Sequence, residues 1–350
     1  MNSFSDLAAG DRNLVAVAVE TLVAPSAAFF RDARSAKMTQ AEHDRLAAAL
    51  PALSTIEVVN VDSGTGVGNG LVIAAWNAER LKYHAPSVAL VRQSGADILL
   101  LSEADLGTAR AGNRHTVADL ARDLGMSYVF GVEFVELGLG NSRERERHKG
   151  QTNSIGFHGN ALLSRLPLQD AALIRLDDGG TWWTDAKDGQ GRIGGRMAIA
   201  AKIETVFGPI LAVSVHLESK TDVEDRSRQT KRLIETIDRL AGDLPVVIGG
   251  DFNTNILPSG SREPGVHEPL FGLFAEAGYR WETANDFAPT RRSGPDGIPQ
   301  PPFTRLDWLL ARGLAAGEAV TAPAVDADGV AISDHELVKA RFSTPGSQAA

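Results

Sequence analysis

The chain has no cysteine among its 350 residues, so disulfides and thiolate metal sites are excluded. Any metal it holds must sit on oxygen or imidazole donors, which favours hard cations. It also lacks a long hydrophobic run: no segment approaches the roughly 20 apolar residues that span a bilayer. Its first stretch, MNSFSDLAAGDRNLVAVAVETLVAP, carries Asp6 and Asp11 where a secretion signal needs positive charge, and Glu20 interrupts its apolar part. No transmembrane segment is expected, and the expected location is cytoplasmic. Nor is there an excess of positive charge. The formal net charge is -9 with a pI near 5.4, which counts against a nonspecific grip on duplex nucleic acid, although a local basic groove is compatible with it. What is present is ordinary for a folded protein, with 43% hydrophobic and 23% charged residues. The length fits one large domain or two modest ones.

Residues 1–70 read as an accessory extension, with helical periodicity in SAAFFRDARSAKMTQAEHDRLAAALPAL and a glycine-rich joint, DSGTGVGNG, at its end. From Leu71 short apolar strands alternate with amphipathic helices: LVIAAWN, APSVALVRQSG, ADILLLSEA, TVADLARDLG and YVFGVEF. Later strands read ALLSR, RMAIAAKIE, ILAVSVHLE, LPVVIGGD, LDWLLARG and LVKARF. Between them DRSRQTKRLIETIDRLAG places Leu233, Ile237 and Leu240 at helical spacing. Such interleaving implies a layered α/β domain over 71–343, leaving 344–350 as a disordered tail. Long polar or Gly/Pro-rich stretches, such as LGLGNSRERERHKGQTNSIGFHG and LDDGGTWWTDAKDGQGRIGG, read as binding or lid loops.

The strands end on polar residues. LVIAAWN ends on Asn77, ADILLLSE on Glu103, ILAVSVH on His216 and PVVIGGDFN on Asp251 and Asn253, while AISDH places Asp334 and His335 before the last strand. Ligands of layered α/β folds bind beyond strand termini, so these side chains are expected to converge. The set suits one hydrated Mg²⁺, with Mn²⁺ as the alternative and phosphate oxygens completing the shell. Asp251 and Asn253, at spacing two, should face the site together, and Gly249 and Gly250 should let the backbone bend close to a ligand.

The ordered motifs WNAE, SE, GNALLSR, VHLES, SRQ, GGDFNT, LDWLL and SDHELV resemble the endonuclease/exonuclease/phosphatase superfamily over roughly residues 71–343. The resemblance implies a four-layer α/β sandwich, two packed mixed sheets flanked by helices, that uses a divalent metal to hydrolyse phosphate esters. It assigns the metal to Asn77 and Glu103, supported by Asp334. It gives His216 contact with the phosphate or a role as acid, Asp251 the attacking water and a share of the metal, and Asn253 stabilisation of developing charge beside it. His335 would be polarised by Asp307. Donors aimed at that charge should supply most of the acceleration.

Departures from the pattern bear on the substrate. Ser102 stands where relatives carry Gln, Leu337 where Pro is common, and Ala104 and Asp105 follow Glu103 where nucleases carry a basic residue, so Asp105 should repel a polyanion. Trp182 and Trp183 read as a substrate rim or as a plug over the core, and Arg192 and Arg196 as phosphate grips or surface charges. The expected substrate is a phosphate ester, either nucleic acid or a small nucleotide or lipid-headgroup phosphate. The competing reading is a catalytically silent scaffold that keeps the fold.

Overall fold

The computed structural model describes residues 3–61, 70–186, 190–294 and 298–345. The glycine-rich joint, apart from Gly70, and the tail beyond Pro345 lie outside the described residues. Two sheets form the middle of the molecule. One has nine strands, with Leu71–Arg80 and Ile98–Leu106 at its centre, paired in parallel. On the Leu71–Arg80 side lies Leu337–Ser343; on the Ile98–Leu106 side lie Phe157–Ser164 and then Ser127–Glu136. The other sheet has six strands, ordered Leu14–Val15, Leu168–Arg175, Met197–Thr205, Gly208–His216, Val246–Asp251 and Asp307–Arg312.

The sheets pack face to face through Ile73, Ala75, Leu100 and Leu162 on one side and Leu173, Ile199, Ala212 and Val247 on the other. The outer faces are covered too. Helices His84–Ser94 and Thr116–Leu124 bury Val91 and Leu120 against Trp76, Leu101 and Phe130. On the six-stranded sheet, Val223–Ala241 and Leu270–Glu276 bury Leu233, Ile237, Phe271 and Phe274 against Leu211, Val213 and Ile248. The result is the expected four-layer α/β sandwich. Strands covered on both faces need apolar residues on both faces, which is why ILLL and VVI run without polar alternation.

The long helix Val223–Ala241 shows how local chemistry sets an element. Its Asp222 cap accepts a hydrogen bond from the Asp225 amide, and the chain leaves the helix at Gly242, whose φ is 54°. Residues 3–61 are built into the sandwich. Leu14–Val15 adds an edge strand to the six-stranded sheet, Ala18–Val19 and Ile56–Val59 extend the other, and helices Ala27–Ser35 and Gln40–Ala48 bury Ala33 and Leu46 in its outer core.

Gly249 and Gly250 have a different purpose from the one expected. A Cβ on Gly249 would lie 2.6 Å from Leu309 Cδ2 and 2.9 Å from Leu100 Cδ1, so its bareness lets the two sheets approach. A Cβ on Gly250, where φ is 145°, would lie 2.0 Å from the Val215 carbonyl oxygen of the adjoining strand. Gly250→Ala therefore combines backbone strain with a backbone clash, and a loss of roughly 2–4 kcal/mol in urea unfolding is expected. Unchanged stability would mean that the strand relaxes freely.

Candidate active site

Strand register assembles the site. His216, Asp251 and Asp307 lie directly opposite one another on three adjacent strands of the six-stranded sheet. In the facing sheet Asn77 pairs with Ser102, and a bulge follows at which Glu103 takes a φ of 54°. Bulges redirect side chains. This one carries Glu103 to the Asn77 amide, whose nitrogen donates to Glu103 Oε1 at 3.2 Å and to Asp251 Oδ2 at 3.0 Å. Carboxylates from both sheets thus meet over one amide.

The loop holding His335 is tied to the first strand of the domain. Ser333 donates its hydroxyl to the Asn77 carbonyl, and the Trp76 indole N–H donates to the His335 carbonyl. Thr290 Oγ1 accepts from the Asp307 amide and so fixes the start of that strand. His335 Nδ1 then donates to Asp307 Oδ2 at 2.8 Å, leaving Nε2 3.7 Å from Asp251 Oδ2. The partner carboxylate sets the ring tautomer. Burial alone would lower the His335 pKa, but Asp307 and Asp251 together outweigh it and hold the ring protonated well above its ordinary range. Asp251 moves up, chiefly because burial penalises its charge and secondarily because Asp307 is close; His335 and His216 act in the opposite direction. Asp251 Oδ1 accepts from the Asn253 amide at 2.8 Å, with Asn253 in a left-handed turn at φ 51° and its side chain donating to the Leu217 carbonyl.

The residues present fit a hard divalent cation. Ligand atoms of Asp251, Asp307 and His335 all lie within 4.8 Å of one another, and Asp307 Oδ1 is buried without a hydrogen-bond partner. His335, held protonated, offers no lone pair, so the donors are the oxygens of Asp251, Asp307, Glu103 and Asn77, a hard set that suits such a cation. Glu103 is also engaged elsewhere. Arg80 pairs with its Oε2, and this pairing with the nearby histidines outweighs burial and keeps its pKa well below the ordinary value. Asp334 stands at the edge of the cluster, 3.9 Å from Arg291, where its charge acts on His335 and on Glu79.

Of the four residues weighed for the substrate rim, Trp183, Arg192 and Arg196 are buried and Trp182 is partly open. Trp183 is 1% exposed, with its indole N–H on the Thr39 carbonyl, so it is the plug over the core. Arg192 is buried against Glu136 at 2.6 Å. Arg196 is buried between Glu133 at 2.6 Å and Glu218 at 3.0 Å, with Nη1 3.0 Å from His216 Nδ1. Neither guanidinium points outward to a phosphate. Trp182 alone is partly open, its indole donating to Glu218 Oε2 at 2.8 Å while Arg192 and Lys220 lie over its ring at 4.5 and 3.7 Å. Asp105 is also corrected. It is fully buried and paired with Arg110 at 2.7 Å and His158 at 2.7 Å, so it offers no repulsion to a polyanion.

Sequence reading missed Glu133, Glu218 and Arg80, which hold His216 and Glu103 in place. The available signal was an acid inside an apolar strand, as in YVFGVEF, opposite an arginine inside another, as in RIGGRM. Such buried acids cannot stand alone. Burial would raise Glu133, Glu136 and Glu218, yet Arg196, Arg192 and Arg196 respectively outweigh it, and all three fall from 4.5 to about 2. Their stabilisation is therefore complete above pH 4.5 and is lost as pH falls through the folded value near 2. Asp177, raised by burial to about 6, opposes this only in part. Thermal melts should show Tm dropping steeply below pH 4.5; a flat profile down to pH 2.5 would show that these pairs are solvated.

Among the described residues no helix is long and apolar enough to cross a membrane. Residues 74–335 match the model of the Endonuclease/Exonuclease/phosphatase family. No curated protein sequence matches the chain. Among solved structures, an endonuclease/exonuclease/phosphatase from Beutenbergia cavernae DSM 12333 aligns with a TM-score of 0.57 and 18% identity over 81% of this chain and 73% of that one. The human Nocturnin catalytic domain, solved with a bound sulfate anion, gives 0.53 and 21% over 81% and 96%. D. rerio TDP2 complexed with single strand DNA product gives 0.50 and 16% over 79% and 99%. These structures share the sandwich architecture, and the family model spans most of the chain. The protein belongs to the endonuclease/exonuclease/phosphatase family.

Proposed function

We propose that the protein is a divalent-metal-dependent hydrolase of phosphate esters, acting by in-line attack of water, with Mg²⁺ as its cation and Mn²⁺ as a substitute. The observation that carries this reading is the meeting of Asn77, Glu103, Asp251, Asp307 and His335 at adjoining strand ends of both sheets. When bound, the cation, held by Glu103 and Asn77 with Asp251, Asn253 and Asp334 in support, supplies Lewis-acid polarisation of a phosphoryl oxygen.

The protein's own groups supply the rest. Asp251, made more basic by burial, receives a proton from the attacking water. His335, kept charged by Asp307 and Asp251, faces the same space with a cationic ring that stabilises negative charge as it builds on the phosphoryl group. His216, clamped by Arg196 and 3.7 Å from Asp251, stands ready to donate to the leaving oxygen. Family membership supports phosphoester chemistry in general.

The test is release of nitrophenol from bis(p-nitrophenyl) phosphate with Mg²⁺ or Mn²⁺. Activity abolished by EDTA and restored by added metal is expected. Activity that survives EDTA removes the metal mechanism, and no turnover of any phosphate ester by the folded protein leaves the scaffold. Plasmid nicking at low salt, set against hydrolysis of nucleotides and phospholipids, separates nuclease from small-molecule esterase, because electrostatic binding to DNA is strongest there.

A further inference from the structure

Three consecutive residues, Glu79, Arg80 and Leu81, take left-handed backbone conformations, with φ of 42°, 70° and 53°, and none is glycine. In that region the Cβ of an ordinary residue crowds the following carbonyl, so each position costs free energy. Such strain persists where the surrounding structure holds it, and it gathers at functional sites. Here the surroundings are explicit. The Leu81 amide donates to the Ala78 carbonyl at 2.8 Å, the Leu81 side chain is fully buried, and the Glu79 amide donates to Asn77 Oδ1 at 3.1 Å. After the bulge Arg80 pairs with Ala104 of the adjoining strand, which sets it beside Glu103.

The two oxygens of Glu103 have different neighbours. Oε1 accepts from the Asn77 side-chain nitrogen at 3.2 Å, the same nitrogen that reaches Asp251. Oε2 accepts from Arg80 Nη1. Arg80 is held a second time, because its Nε lies 3.2 Å from Glu144 Oε1. Glu144 belongs to the helix Ser142–Arg147, where it closes a capping box with Asn141. A stretch that reads in the sequence as a binding or lid loop therefore reaches Glu103 through one guanidinium. Burial would lower the Arg80 pKa, but Glu103 and Glu144 outweigh it and the group stays charged. Arg80 and Glu103 are both mostly buried, so water and salt screen their pairing little.

We propose that Arg80 is a positioning residue that keeps Glu103 Oε2 for itself, limits Glu103 to one oxygen for the cation, and so selects Mg²⁺ or Mn²⁺ over Ca²⁺. The inference rests on the reading of Glu103 as a cation ligand. Mg²⁺ demands a compact octahedron and retains several waters, whereas Ca²⁺ takes more oxygens and accepts a carboxylate through both of its atoms. A carboxylate with one oxygen engaged meets the first demand and not the second. A dication cannot close on Oε2 without approaching the guanidinium charge.

Competition for bound Mn²⁺ in the full chain, followed by electron paramagnetic resonance of the free ion, tests the proposal, with Mg²⁺ and Ca²⁺ as the competitors. Arg80→Met should move the ratio of their apparent affinities toward Ca²⁺ by at least about tenfold. The positive charge lost in this variant acts on both dications alike, so it cancels from the ratio. Arg80→Lys, which keeps a charged donor for Oε2, should stay close to the wild-type ratio. A crystal structure of wild type with Mn²⁺ needs no variant and so does not depend on how Arg80→Met folds: Oε1 alone should touch the ion, with Oε2 still on Arg80. The proposal is overturned, with the cation site left standing, by an unchanged ratio in Arg80→Met, by an equal shift in Arg80→Lys, or by both Glu103 oxygens on the ion. Absence of Mn²⁺ uptake by wild type, or uptake that Glu103→Gln leaves unchanged, removes the reading of Glu103 itself and the proposal with it.

Discussion

Replacing Asp251 by asparagine is expected to lower kcat/KM toward an aryl phosphodiester by about 10³- to 10⁴-fold while costing only roughly 1–3 kcal/mol of stability. The reason lies in where Asp251 sits. Its carboxylate reaches the Asn77 amide at 3.0 Å, the Asn253 amide at 2.8 Å, and His216 and His335 at 3.7 Å, so every proposed chemical group passes through it. Asparagine keeps the shape and can still accept from the Asn253 amide, but its NH2 then faces the Asn77 amide nitrogen, another donor, and it cannot take a proton from water. Burial already penalises the aspartate charge, so removing that charge does not cost the fold what a paired carboxylate would. Steady-state kinetics together with urea unfolding check both halves. A purely structural Asp251 would give the reverse result, with activity retained per folded molecule and stability lost.

The second large effect is on the fold. Arg196→Met should destabilise the protein by roughly 3–5 kcal/mol, read as a fall in Tm of about 4–7 °C. Arg196 is the only guanidinium paired with Glu133 and Glu218 among the described residues, and without it two buried carboxylates lose their guanidinium together. Removing one partner of a buried ion network is worse than never having built it. Arg196→Lys keeps the charge and loses the fork that reaches Glu133, Glu218 and His216 together, so it should recover part of the stability. A full loss of activity with unchanged Tm would instead restore Arg196 to direct contact with phosphate.

That reversal for Arg196 marks the border of what the sequence discloses. Strand-end polarity pointed to Asn77, Glu103, His216, Asp251 and His335 because an apolar run must stop where side chains meet water or ligand, and the structure brings those stops together. Burial also made the central strands legible, as unbroken apolar runs, and the helix Val223–Ala241, by its 3.6-residue period. Other features leave no period. The positive φ of Glu103 comes with the bulge in its strand pairing, and a glutamate does not announce it, whereas asparagine, as at Asn253, tolerates that region. The strands Leu14–Val15 and Ala18–Val19 are two residues long, too short for any alternation to register, so the segment that carries them reads as an appendage although it edges both sheets. Asp105 reads as an exposed repulsive charge because its partners, Arg110 and His158, are separated from it by a turn and by a different strand.

The central claim is that a hard-cation site is built where Glu103 meets Asp251. Titration of the metal-free protein with Mn²⁺, followed by electron paramagnetic resonance of the free ion, measures this without reference to any substrate. Wild type should remove Mn²⁺ from the free signal, Mg²⁺ should compete it off, and Glu103→Gln should weaken binding by about 10- to 100-fold. Mn²⁺ uptake by Glu103→Gln equal to that of wild type, or no uptake by wild type, would contradict the account.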